Sequence, residues 1–218
     1  MIQTGTECHT QAVPISDRRI FERRYAPRFY DEELRQLQNE LGVHEEDIRG
    51  RNLLIPSGET VELSAVTSAT VVSLDLQTVD LDAFKRWIGV SDNLIEDGFF
   101  LPPTEVPTVS YSNLMEGGRE DMTAEEWKSV ERATHYYLFG HSALVRAFRP
   151  AIDRHFGPYA ARLYAADRIE VEPGGTLTIS GYPAVAMVRH LIIHQGGAFK
   201  LQAPVKLMVE TLDRPLHF

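Results

Sequence analysis

The chain has 218 residues, 43% hydrophobic and 24% charged, with 22 Lys and Arg against 31 Asp and Glu. This is the composition of an ordinary globular protein with enough chain for one sizeable core or two small ones. A net charge of −9 argues against a nucleic-acid partner, whose phosphates demand a basic surface, and against an anionic membrane.

No apolar run approaches the ~18 residues that span a bilayer. Residues 1–7 carry neither the basic nor the apolar region of a signal peptide. A single Cys8 forms no internal disulfide, so a reducing, cytoplasmic setting is expected.

Residues 1–30 hold no clear period. Arg18, Arg19, Arg23, Arg24 and Arg28 interleave with Phe21, Tyr25, Phe29 and Tyr30. This reads as an arm lying across the body with its arginines on surface carboxylates, a ligand-binding role being the alternative. Residues 31–42 read as an amphipathic helix, with acids in the first turn, Leu34, Leu37 and Leu41 as its stripe, and Gly42 as its stop.

A β-unit follows over 53–64, and residues 69–81 alternate as a half-buried strand should. Residues 91–122, rich in Gly, Pro, Asn and Ser, read as a long loop. Thr123 and Glu126 form a capping box that opens a helix to about Leu138, ended by Gly140. Two further helical pieces are predicted, one over 141–148 that Pro150 interrupts and one opened by Pro158 that runs to Ala166.

The C-terminal third repeats itself. At an offset of 22, Ile169, Val171, Leu177 and Ile179 fall on Leu191, Ile193, Phe199 and Leu201, and Gly174-Gly175 falls on Gly196-Gly197. At an offset of 21, residues 183–191 fall on 204–212, which places the slip in the corner between Ile179 and Pro204. At an offset of 116, Leu53, Ile55, Gly58, Val61 and Leu63 fall on Ile169, Val171, Gly174, Leu177 and Ile179.

A fixed period of strands and glycine turns predicts a mainly β fold with a helical insert (α+β). Specifically, it predicts a short β-solenoid or β-helix-like stack of ~21–22-residue rungs, capped or flanked by helices. The divisions are 1–50 (arm and helix), 51–81 (first β-unit), 82–166 (loop and helical insert) and 167–218, whose units pack with 51–81 as one domain. Stacking in register would bring Arg189 beside Glu210, His194 beside Glu172 and Lys200 beside Thr178.

Chemical signatures are sparse. The chain holds no G-x-S-x-G, no phosphate-cradling glycine loop and no H-E-x-x-H. His190 and His194 share one strand face with Glu172 a layer away, a set that would admit a divalent metal or an acid–base pair. Solvent-facing histidines, one paired with a glutamate, are the plainer reading.

His135, His141 and Glu131 form a second set of candidate acid–base groups in the helical insert, with His155 and Asp153 nearby. Packed, hydrogen-bonded histidines are the plainer reading there. No motif requires a cofactor.

The function expected is therefore a non-catalytic β-solenoid module for structure, assembly or protein interaction, acting by self-association or on a protein partner. The alternative is an enzyme or a small-molecule or metal-binding protein. Its pocket would lie between the helical insert and the sheet, with 91–122 as lid.

Overall fold

Aliphatic residues at alternate positions build two parallel sheets around strands β1 (Asn52–Ile55), β2 (Thr60–Leu63), β4 (Tyr159–Val171), β5 (Thr176–Ile179), β6 (Ala184–Ile193), β7 (Ala198–Leu201) and β8 (Val205–Asp213). The larger sheet runs β1-β4-β6-β8, and β3 (Val72–Thr78) lies antiparallel to the first half of β4 on the same edge as β1. The smaller sheet runs β2-β5-β7. The structure is a computed structural model describing residues 27–64, 71–92, 107 and 117–213; of residues 27–33 only the backbone is described.

The repeat offsets are sheet registers. Leu53 pairs with Ile169, Ile169 with Leu191 and Leu177 with Phe199, while Ala184 pairs with Val205 after the corner. The expected solenoid is nevertheless not what the chain forms. It is a mixed α/β protein with parallel sheets and, among the described residues, five α-helices, α1 (Pro27–Leu41), α2 (Glu45–Ile48), α3 (Leu81–Ile88), α4 (Ala124–Leu138) and α5 (Arg149–Phe156).

An offset reports only that parallel neighbours are in register; it is blind to what covers them. Here α3 lies across one face of the larger sheet, touching β3, β4, β6 and β8. Its Phe84, Trp87 and Ile88 join Leu34 and Leu37 of α1, Val130 and Tyr137 of α4 and Ile152 of α5 over Leu163, Val185, Met187 and Met208. The helices thus build the larger of two cores rather than capping a coil.

The second core lies between the sheets. It is made of Ile55, Leu63, Ile169, Val171, Leu177, Ile179, Ala186, Val188 and Leu191, with smaller neighbours.

Three local expectations change as well. Residues 158–166 are not helical but open β4, because Ala161, Leu163, Tyr164, Ala165 and Ala166 are buried within a sheet, which overrides their helix propensity. Pro150 sits in the first turn of α5, where its missing N–H costs nothing, instead of ending a helix. The α1 helix begins at Pro27 rather than at residue 31. The capping box of α4 forms as read, with Thr123 N donating to Glu126 Oε2 at 2.8 Å and Glu126 N to Thr123 Oγ1 at 3.2 Å.

One residue in each long strand breaks the alternation. Leu163 and Ala165 face the helices while Ala166 and Ile169 face the second core, and the pairing steps over Asp167 and Arg189. Between β6 and β8 it steps over Arg189 and Glu210.

These three residues stack at one level as a shared bulge. Arg189 reaches Asp167 at 3.3 Å, Glu210 at 3.4 Å and Glu45 of α2 at 3.7 Å. Beyond this bend the outer face carries Arg168, His190 and Thr211 in one row.

The turns joining the two sheets also stack. Gly58, Gly174 and Gly196 all have φ near +80°, a conformation that penalises a side chain. Gly175 has a different reason for being glycine. A Cβ there would lie 2.9 Å from Ile55 O and 3.0 Å from Pro56 O of the preceding turn. The equivalent position in the first turn is Glu59, with no described turn before it.

Gly175→Ala should therefore cost about 1–3 kcal/mol, lowering the thermal midpoint by several degrees in a circular-dichroism melt. Glu59→Gly should cost less, no more than about 1 kcal/mol of stability, and move the midpoint correspondingly less. Equal effects at the two positions would overturn this account of the turns.

Candidate functional site

The histidines singled out in the sequence do not converge. His190 Nδ1 lies 2.6 Å from Thr211 Oγ1 on the exposed outer face. His194 Nε2 lies 2.7 Å from Glu170 Oε1, not from Glu172. Hydrogen bonds from His194 and then Arg168 hold the Glu170 carboxyl below the usual range. Glu172 instead accepts from Ser57 N at 3.2 Å. His194 falls one residue beyond the end of β6.

In α4, Glu131 accepts from Trp127 Nε1 at 2.7 Å, and the exposed His135 packs on Phe139 with ring centroids 4.6 Å apart. The His141 ring stands edge-on to Tyr136 at 6.0 Å. His135 and His141 thus flank the Tyr136 ring, at 6.2 and 6.0 Å, while Glu131 is engaged by Trp127. Among the described residues no three His, Cys, Asp or Glu side chains are grouped to hold a metal.

A polar network between helices and sheet has no signature in the sequence. Asp82 accepts from Tyr137 Oη at 2.6 Å and from Arg149 Nη1 at 2.6 Å, and Arg149 also reaches Asp80 at 3.2 Å. Asp153 accepts from Tyr159 Oη at 2.9 Å. Lys85 bonds Asp92 at 2.5 Å, and Asp92 also accepts from the Ser142 hydroxyl.

Burial and the bond to Asp82 push the Tyr137 phenol up to about 12. Burial works to raise Asp82 too, but the bonds from Tyr137 and Arg149 outweigh it and leave the carboxyl below its ordinary range. Each acid already has a cation or hydroxyl, and a phenol titrating near 12 exchanges no proton near neutrality. The network fastens α3, α4 and α5 together.

Most of 91–122, the lid of the expected pocket, lies outside the described residues. A groove of about 290 Å3 opens between Gly42, Val43, Asp47 and Arg51 at the α1–α2 corner and Val72 and Leu74 of β3, lined by no residue of α4 or α5. The space between the two sheets amounts to about 10 Å3.

The remaining feature is an asymmetry of the second core. At the β1/β2 end Leu53 is 8% exposed and Leu63 2%, and the Ser64 carbonyl accepts from Tyr164 Oη at 2.6 Å and Arg162 Nη1 at 3.2 Å. At the β7/β8 end, the same apolar rows come into the open. Ile179 is 1% exposed but its neighbour Leu201 is 49%, and Leu191 is 1% exposed but Leu212 is 59%.

Phe199, Val205, Leu207 and Val209 are half-buried against this core. No described strand pairs with the outer edge of β7 or β8. Chemically, such an end offers unused main-chain donors and acceptors beside an apolar surface. No family model, curated protein or solved structure matches the chain.

The acid network sets the pH response. Because the Asp82 carboxyl titrates lower in the folded chain, its contribution is complete above the unfolded value near pH 4 and is lost as pH falls through the depressed value. Asp82→Asn should cost about 1 kcal/mol at pH 7, the low end for charged hydrogen bonds because Asp82 is 46% and Arg149 36% exposed. Denaturant titrations at several pH values should show the gap between variant and parent closing below about pH 4. A gap that stays constant from neutral pH to strong acid would refute the coupling.

Proposed function

We propose that this protein is a non-catalytic protein-interaction or assembly module that works through the open β7/β8 end of its two-sheet core. The observation that carries the reading is the jump in exposure along single apolar rows, from Ile179 to Leu201 and from Leu191 to Leu212. Burying such a row in a partner removes apolar surface from water while satisfying the edge main chain, and both terms favour association.

The net charge of −9 supports a protein partner over nucleic acid or an anionic membrane. Among the described residues no helix is long and apolar enough to cross a membrane. A single Cys8 supports a reducing, cytoplasmic setting.

A selection of random peptides displayed against the full chain tests the proposal. It should return peptides that bind with micromolar Kd and lose at least tenfold on Phe199→Asp or on Val209→Pro. Val209→Pro removes an N–H that the parallel ladder directs to the free edge of β8, and Leu201→Ser, at a half-exposed position, serves as the variant that leaves the core intact and should weaken binding several-fold. Recovery of no binder, or of binders indifferent to all three changes, would defeat the reading.

A further inference from the structure

We infer that the open end accepts one extended segment of a partner protein as a fourth strand of the smaller sheet. That segment lies along β7 and carries two apolar residues separated by an acidic one. This deepens the interaction reading above and rests on it.

The vacancy follows from comparing the sheets. β1, β4 and β6 each face a strand of the smaller sheet across the second core, namely β2, β5 and β7, each joined to its partner by a short turn. β8 adds a fourth parallel layer to the larger sheet, and among the described residues nothing stands opposite it. Its inward Val205, Leu207 and Val209 are half-buried for that reason, whereas Ala184, Ala186 and Val188 on the next strand are buried. One strand beside β7 would cover them.

The main chain of β7 sets the segment's register. Ala198 N donates to Gly175 O and Gln202 N to Ile179 O, so Ala198, Lys200 and Gln202 bond toward β5. By the alternation of a parallel ladder, Phe199 and Leu201 direct their N–H and C=O groups to the free edge. In the parallel register repeated from β2 to β5 to β7, the added strand sets apolar side chains against Phe199 and Leu201.

Charge selects the residue between them. Lys200 points away from the core and is exposed; its ladder neighbour Thr178 is neutral, and no carboxylate pairs with it among the described residues. The next position along this outward row faces that ammonium group, where an acid is attracted and a base repelled. The chain's own β2 shows the required pattern, with Val61 and Leu63 inward and Glu62 between them.

A second copy offering its β2 edge does not fit. β1 and β2 belong to one layer, so β2 laid on β7 would force β1 into the place of β8. The occupant is therefore a free extended segment.

The test uses a labelled synthetic peptide with the sequence of Gly58–Ser64, titrated with the full chain and read by fluorescence anisotropy. Binding is expected, to weaken roughly five-fold when Glu62 of the peptide becomes Lys. Lys200→Glu in the chain should reverse this order, favouring the Lys peptide. Since the chain carries a net charge of −9, preference for the acidic peptide points to a local cation.

Leu201→Ser should weaken both peptides equally, with a melt confirming the fold. An unreversed order, or binding that survives Leu201→Ser undiminished, would overturn the assignment. If displayed peptides depend on Phe199 and Leu201 while their affinity ignores Lys200→Glu, the interaction reading stands and this inference falls. If nothing binds at that end, both fall.

Discussion

Everything in this chain depends on how closely the turns between its two sheets stack. Gly175 and Gly197 have their α-carbons so near the carbonyls of the preceding turn that a methyl group would meet Ile55 O or Val171 O at 2.9 Å. That approach sets the spacing at which β1, β4 and β6 pair on one side and β2, β5 and β7 on the other. With both ladders in one register, the aliphatic rows meet between the sheets and exclude water. Remove the close approach and the rows separate, because strands this short pair weakly unless a shared core holds them.

The stacked bulge at Asp167, Arg189 and Glu210 divides the labour of the long strands. Before it, residues of β4, β6 and β8 meet helices on one face and the smaller sheet on the other. After it, the outer face is open and polar. A single guanidinium serves two carboxylates from neighbouring strands and a third from α2, so like charges never stand adjacent in the stack. Arg149 does the equivalent among the helices, drawing Asp80 and Asp82 of α3's first turn onto α5. Both clusters hold elements in place, and both are satisfied internally, which leaves little of their charge for a ligand.

Part of this was legible in the residues. The pairing of Ile169 with Leu191, and the loss of one residue at the corner before Pro204, follow from apolar positions that must coincide when parallel strands share a core. The bulge was invisible for the same reason, since an extra residue common to every strand leaves each offset unchanged. The rest of the architecture was misread where local and tertiary preferences part. Ala161 to Ala166 favour a helix locally yet lie in a buried strand, and α3, at two turns, is too short for its stripe to stand out. Reading the offsets as a coil ignored the helices that cover half of each long strand. The polar network could not be read at all, since Tyr137 and Arg149 lie 55 and 67 residues from Asp82. Histidine spacing alone did not tell which groups the rings would meet, His190 bonding Thr211 and His194 Glu170.

The two ends of the second core show that openness is a property of sequence and not an accident of counting strands. Both ends terminate in edge strands, yet only one is sealed. At β2 the main chain leaves the strand at Ser64, and Tyr164 and the buried Arg162 hold its carbonyl, with Asp75 of β3 compensating the guanidinium. Val71 closes over the same side. At the other end the corresponding places hold Leu201, Leu212 and Lys200, which pairs with no carboxylate among the described residues. An edge meant only to face water is usually blunted by charges in the inward rows, by proline or by a covering helix. Here the inward rows stay apolar up to the last strand, and the one charge of β7, Lys200, sits on the outward row. That arrangement leaves room for one strand and favours an acid in its middle.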